Sequence, residues 1–443
     1  MLKKIFFLLF LIPLLTSAQH TITGTFSPAE EYTYVILYRV EPTKNYYTTD
    51  SKKDEKDNFN FELDSTNGPG VYKVVYGIPQ DEKNFYLVYN GKEDIAFTFS
   101  EKEGLTFTAS EENKLLASFE AQMYRIQKEI IEAYQSNPID KAQIVALFKE
   151  QELLQNEFEN QPNLGIAVHF IKANRLYTPS KYEDFKTYVK NRKDTYFDHV
   201  NYADDVLQRS SFLDDNAKGY IYGFVNPAAP EESYVSNIDD VSKAVEAADI
   251  SYQKTIWHSI WADLIEKELF EASKYLANTY LIPAAKKDKD TQMVNNVFKF
   301  QNLTLGSEAP NFSWTEEING TEETRWLHNL EPAENYLLIF WSSGCSHCLA
   351  EIPKIHTSFA SVPERKLKIV AIGMEDEPRG WENMTDELPR FTHVYGAGKW
   401  DNDIAKTYDI TSTPTYFVLD SNKRIISKPE TLEELMRGFT LDK

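Results

Sequence analysis

Between Thr21 and about Ser110, apolar and polar residues alternate in short runs rich in Tyr, Phe, Thr and Val, the period of half-buried strands. The runs are Thr21 to Phe26, Tyr34 to Val40, Phe59 to Leu63, Val71 to Tyr76, Phe85 to Tyr89, Ile95 to Phe99 and Leu105 to Thr108. Asn67-Gly68-Pro69-Gly70 and Asn90-Gly91 supply turn chemistry between them. The pattern predicts an antiparallel β-sandwich over residues 19–110. Its aromatics, such as Tyr32, Tyr34, Tyr38, Tyr46 and Tyr47, read first as core and strand formers, with a ligand or partner surface as the alternative use.

Near Ser110 the period changes to that of an amphipathic helix. Leu115, Leu116, Phe119, Met123, Ile126, Ile130 and Ile131 recur every three to four residues, with Ser110 in the N-cap position. Asn137-Pro138 breaks the run, and a second stripe, Ile144, Leu147, Phe148, Leu154 and Phe158, predicts an antiparallel partner. Helical sequence continues to about Ile282, interrupted by an expected long loop from Asn226 to Ser236 and closed by an expected helix from Ile250 to Leu281. The rows Ile256, Ile260, Leu264 and Trp257, Trp261, Ile265 on that last helix read as core. These elements define a helical domain over residues 111–300. The charged run Lys286-Lys287-Asp288-Lys289-Asp290 marks a solvated boundary near its end.

From about Gln301 strands and helices alternate. A hairpin is expected around Asn319-Gly320, then a buried strand from Tyr336 to Trp341, a helix from Leu349 that soon meets Pro353, and an apolar strand from Leu367 to Gly373. A helix near Asp401 to Tyr408, strands at Thr415 to Leu419 and Arg424 to Ile426, and a helix from Glu430 complete a domain over residues 301–443. Such alternation predicts an α/β sheet layered between helices.

Composition narrows the function. Asp and Glu total 68 against 47 Lys and Arg, a formal charge of −21 without a basic stripe or tail, which disfavours nucleic acid and anionic membrane surfaces as partners. Residues 1–18 have the layout of a secretory signal peptide. Lys3 and Lys4 precede an apolar run from Ile5 to Leu15, and Thr16-Ser17-Ala18 precede Gln19. That run is too short to span a bilayer, and no later one is long enough, so the expected mature chain is exported, most simply to a bacterial periplasm, with no membrane span.

The chain holds two cysteines, Cys345 and Cys348, in Trp341-Ser342-Ser343-Gly344-Cys345-Ser346-His347-Cys348. Two close cysteines in an exported protein do not staple domains together, so the pair reads as reactive rather than structural. A CxxC between a strand and a helix places its first thiol at a helix N-terminus, where the backbone dipole favours the thiolate. His347, as an imidazolium, would favour that thiolate further, or else is a plain exposed residue. Zinc is a poor fit: the eight histidines show no HxxxH spacing and there is no second CxxC. No cofactor beyond a redox-active Cys345–Cys348 disulfide is expected.

Ala309-Pro310-Asn311-Phe312, the Phe340-Trp341 strand end, the Cys345-Ser346-His347-Cys348 run, Pro353 and Thr413-Pro414 before a hydrophobic strand together resemble the thioredoxin superfamily, in its secreted TlpA/ResA-like branch. The whole layout is similar to bacterial envelope proteins that join a β domain, a helical spacer and a C-terminal thioredoxin-like domain. The resemblance implies Cys345 as nucleophile, Cys348 as resolving thiol and Pro414, preceded by Thr413, as the cis-proline facing them. It also implies protein disulfide or dithiol substrates and a membrane or periplasmic electron donor. Gly344 stands where many relatives carry Trp, and Ile339 where some carry a buried acid or amide. A carboxylate near the thiols would come from Glu375, Asp376 or Glu351, each of which also reads as ordinary surface. Trp341 supports the site from the strand end. The expected activity is secreted thiol-disulfide exchange. Its rivals are an AhpC/TSA-type thiol peroxidase, against which stands the absence of a Pro-x-x-x-Thr-x-x-Cys pattern, and a non-catalytic envelope binding or assembly protein.

Overall fold

The computed structural model describes residues 20–439 apart from 43, 64–66, 163–164 and 319. The leader over residues 1–18 and Asn319 of the expected hairpin lie outside them. The chain divides into two compact units between Asp288 and Lys289.

The first unit opens with β1 (His20–Phe26), β2 (Tyr34–Glu41), β3 (Lys44–Lys52), β4 (Asn58–Leu63), β5 (Gly70–Val75), β6 (Asn84–Tyr89), β7 (Ile95–Ser100) and β8 (Gly104–Ala109). They form two four-stranded sheets, β4-β1-β7-β8 and β3-β2-β5-β6. One core joins the inner faces: Ile22, Phe59, Phe61 and Phe97 from the first meet Val35, Leu37, Tyr72, Val74 and Leu87 from the second. The expected sandwich forms, with one departure, since β1 runs parallel to β7. Side chains alternate every two residues in either orientation, so the sequence pattern carries no sign of the difference. Gly24 is required here, because a Cβ would come within 2.4 Å of the Phe97 ring on the neighbouring strand.

β3 escaped the hydrophobic pattern because it is a polar edge strand, the kind that resists pairing with other chains. Its Tyr46 and Tyr47 are exposed, whereas Tyr32 is buried in the core.

The helices of this unit are α1 (Glu111–Gln135), α2 (Lys141–Glu159), α3 (Ala167–Ala173), α4 (Phe185–Asp194), α5 (Phe212–Gly223), α6 (Pro230–Val245), α7 (Ile250–Glu266), α8 (Phe270–Leu276) and α9 (Ile282–Lys287). Ser110 caps α1 by accepting the Asn113 N–H. Asn113 in turn serves the edge of β6: its Oδ1 accepts the Val88 N–H at 2.9 Å and its Nδ2 donates to the Val88 carbonyl at 2.6 Å. A buried side-chain amide thus completes a strand edge. The Phe119 and Phe158 rings, 5.5 Å apart, join the start of α1 to the end of α2, the antiparallel pairing expected of a short connection.

Two expectations change. The segment from Asn226 to Ser236 is not one long loop, because Pro230 opens α6, and proline is preorganised for a first helical position. The helix expected from Ile250 to Leu281 ends at Glu266; Glu268 takes φ 58°, and α8 is followed by a π turn at Ala277–Leu281. Ile256, Trp257, Ile260, Trp261 and Leu264 are buried, as core.

The second unit contains α10 (Thr291–Leu303), β9 (Ser313–Ile318), β10 (Thr321–Trp326), β11 (Asn335–Trp341), α11 (Ser346–Phe359), β12 (Leu367–Glu375), α12 (Pro378–Thr385), β13 (Thr392–Ala397), α13 (Asp403–Thr407), β14 (Thr415–Asp420), β15 (Ile425–Ser427) and α14 (Leu432–Gly438). The main sheet has the order β13-β12-β11-β14-β15, with β11, β12 and β13 parallel, β14 antiparallel to β11, and β15 antiparallel to β14. β11 is central and buried on both faces. Its Leu338 and Phe340 join one core with Leu303, Trp314 and Tyr408, while Leu337, Ile339 and Trp341 join another with Cys348, Ile352 and Leu435. A strand buried on both faces reads as a continuous apolar run, which is why it is plain in the sequence. The edge strand β13 and α12 carry no such run and were not anticipated. Among the described residues no helix is long and apolar enough to cross a membrane.

Candidate active site

The central strand β11 delivers the chain to the site. Trp341 at its end is fully buried, and Ser342 to Cys345 turn from strand to helix. Cys345 is the N-cap of α11, half-buried, and its Sγ accepts the Cys348 N–H at 3.4 Å. One helical turn on, Cys348 is fully buried among Ile352, Ile355 and Trp341. Helix geometry therefore gives the two thiols opposite surroundings although two residues separate them.

Their acidities diverge accordingly. Burial opposes ionisation of Cys345, but hydrogen bonds from the Cys348 thiol and N–H, from Thr413 and from the His347 N–H outweigh it, and its pKa falls below the ordinary cysteine value. Burial, reinforced by the hydrogen bond with Cys345, pushes Cys348 up to about 12. One thiol is prepared to ionise and the other is held protonated.

The loop before β14 closes the site from the opposite side. The Thr413–Pro414 peptide is cis, and the Cys345 thiol donates to the Thr413 carbonyl at 3.3 Å. Thr413, with Pro414 next to it in the chain, thus stands beside the Cys345 thiol. His347 is solvent-exposed on the first turn of α11.

The three carboxylates separate into distinct tasks. Glu375, at the end of β12, is 5% exposed. It accepts the Ser343 N–H and the Ser342 hydroxyl, so it holds the loop that leads into Cys345. Asp376 points away into an exposed ion pair with Lys399 at 2.6 Å. Glu351 accepts the Tyr416 phenol at 2.8 Å. Tyr416 is buried, and its pKa is raised by burial, by the Glu351 hydrogen bond and charge, and then by the two cysteines. Tyr416 therefore lies within electrostatic reach of both thiols and holds Glu351 beside it.

Tyr416, Ser342 and Ser343 had not been singled out as site residues. Tyr416 lies two residues beyond Pro414, on the same face of an extended segment, and that spacing is the signal that could have found it. Beside the loop, Gly380 of α12 approaches Ser343 so closely that a Cβ would meet the Ser343 Oγ at 2.7 Å. Gly373, paired with Trp341, leaves room for the Trp381 ring, which a Cβ would meet at 2.3 Å. Among the described residues no group of three or more His, Cys, Asp or Glu is placed to hold a metal ion.

This geometry agrees with comparisons to known proteins. A thioredoxin-like family profile matches residues 334–425. The thiol-disulfide oxidoreductase ResA of Bacillus thuringiensis subsp. konkukian is 24% identical over 149 residues, covering 32% of this chain and 82% of its own. The ResA of Oceanobacillus iheyensis is 27% identical over 143 residues, covering 31% of this chain and 68% of its own. Among solved structures, a domain of a possible thiol-disulfide isomerase from Cytophaga hutchinsonii is 31% identical, covering 31% of this chain and 90% of its own, with a TM-score of 0.26. A thioredoxin-like protein from Bacteroides caccae is 19% identical and covers 61% of this chain and 98% of its own, with a TM-score of 0.31. Residues 334–425 of this multidomain chain thus match a thioredoxin-like domain, and its C-terminal third is similar to the ResA thiol-disulfide oxidoreductases.

Proposed function

We propose that the protein exchanges thiols and disulfides on envelope proteins through Cys345 and Cys348, in an exported, periplasmic setting. The observation that carries the reading is the unequal pair: Cys345 at a helix N-terminus against the Thr413 carbonyl, Cys348 buried one turn behind it. The family relation of the C-terminal domain supports the class of chemistry.

In the reducing direction the Cys345 thiolate attacks a substrate disulfide. That S–S bond breaks, a Cys345–substrate disulfide forms, and one substrate thiolate departs and is protonated. Cys348 then gives up its proton and attacks the Cys345 Sγ, releasing the second substrate thiolate. Two electrons have passed to the substrate, leaving a Cys345–Cys348 disulfide, and a dithiol donor restores the pair. The oxidising direction runs the same steps backwards.

The second attack needs a proton acceptor, because a thiol near 12 is almost wholly protonated at neutral pH. Glu351, held by Tyr416, supplies it, while Glu375 and Trp341 hold the approach to Cys345. The cis Thr413–Pro414 segment offers backbone to the substrate beside the Cys345 Sγ. His347, exposed beside the pair, tunes it when protonated.

Insulin reduction by wild type and by Cys345→Ser tests the proposal. Loss of activity in the variant is expected. Equal rates would end the redox reading, and peroxide consumption that needs Cys345 would replace it with a peroxidase.

A further inference from the structure

The first unit contains a cavity of about 750 Å³ that none of the thiol chemistry uses. It lies between the edge strands β6 and β8 and the helices α1, α3 and α5. Its size falls within the range of small-molecule sites, and its walls are mainly apolar and aromatic, with Phe107, Phe119, Phe170 and Phe212 among them.

Two charged residues line it, Glu120 and Asp215, and both are acidic. Both side chains are exposed, and the walls beside them raise their carboxyl pKa values, Glu120 by partial desolvation and Asp215 by partial desolvation and then the charge of Asp214. Glu120 has no hydrogen-bond or ion-pair partner among the described residues, and Asp215 accepts a hydrogen bond from Ser211. The bases nearby already hold partners: Arg192 donates to the lining residue Gln127 at 2.9 Å, and Lys218, which also acts on Asp215, pairs with Asp214 at 2.7 Å. With no basic side chain among the lining residues, an incoming cation meets two acids and no repelling charge in the cavity wall. Aromatic walls add to the preference for a cation.

We infer that this cavity binds a free organic cation with an apolar body, its ammonium group directed to the acidic side chains Glu120 and Asp215 of the lining and its body along the phenylalanine walls. The site is independent of Cys345 and Cys348, so it gives the N-terminal unit a binding function of its own.

Calorimetric titration of the full chain with decyltrimethylammonium, decanoate and decanol, each below its micellar concentration, tests this. Saturable binding of the ammonium is expected, at least about tenfold tighter than either other probe, the scale of one charged contact. In Glu120→Gln/Asp215→Asn the ammonium and decanol should bind alike. Ala117→Trp, which fills the cavity from an exposed helical position, should abolish binding of all three. Cys345→Ser should bind as wild type does, which separates this site from the redox reading. Far-ultraviolet circular dichroism melts check folding, and if Ala117→Trp is unstable the charge variants decide. Absent saturation by the ammonium, equal affinity for decanoate, or undiminished preference in the double variant would each overturn the inference.

Discussion

In the unit that ends at Asp288 each sheet turns one face to a shared core, whereas in the unit from Lys289 the five-stranded sheet is covered on both faces. A sheet covered on both sides leaves its strand ends as the accessible places for chemistry, and the cysteines sit at the end of β11. A sandwich keeps open edges instead, and there the edges of β6 and β8 border the cavity. The position of each candidate site thus follows from how its sheet is buried. The thiol site depends on backbone turns and a helix end, and the cavity on side chains from five or more elements.

Five experiments would break or sharpen that contrast. The largest effect is expected from Cys348→Ser. Attack by Cys345 should persist while resolution stops, so a covalent adduct with a disulfide substrate should accumulate on non-reducing gels and turnover should vanish. Turnover at the wild-type rate would show that the buried thiol is not the resolving one.

Next in size, Leu338→Ala removes a fully buried side chain from the central strand and should cost about 2–5 kcal/mol. Denaturant unfolding followed by Cys345 alkylation should report the loss, and the cation site of the first unit should keep its affinity. A loss of cation binding in the folded variant would show that the units are not separable in this sense.

A smaller effect concerns pH. Because the Cys345 pKa is lowered, its thiolate persists to lower pH than that of an ordinary cysteine and is lost as pH falls through the lowered pKa. Because Cys348 is raised to about 12, it stays protonated until the medium is strongly alkaline. Iodoacetamide at neutral pH should therefore label Cys345 well ahead of Cys348, as peptide mass mapping can read. Equal labelling of the two would contradict the asymmetry. Tyr416→Phe should leave this first reaction unchanged and slow resolution of the mixed disulfide by about tenfold or more, since one hydrogen bond to a charged group is worth about 1.5–3 kcal/mol.

The smallest effect is expected on the polar edge. Tyr47→Ser on β3 should change stability by no more than about 0.5 kcal/mol, because the ring is mostly exposed. A much larger loss would mean that this edge is covered.

Legibility in the sequence followed burial. β11 was plain because both its faces are apolar, and the cysteine pair was plain because its spacing spans one helical turn. β3 and β13 show little apolar pattern because edge strands need little apolar surface, and the first turns of α6 read as loop because Pro230 reads as a breaker until its position at a helix start is known. Among the acids, composition could not rank Glu351, Glu375 and Asp376. Their neighbours rank them: Tyr416 for the first, the Ser342-Ser343 loop for the second, and an exposed lysine for the third.

The sequence by itself determined the periods, the turn chemistry and the CxxC pair between a strand and a helix, since each depends on residues near one another in the chain. The tertiary structure decided the parallel pairing of β1 with β7, the cis Thr413–Pro414 segment against Cys345, the partner of each carboxylate and the acidic cavity. These depend on residues distant in sequence, and the chemistry of a thiol or a carboxylate is set by what burial and folding bring beside it.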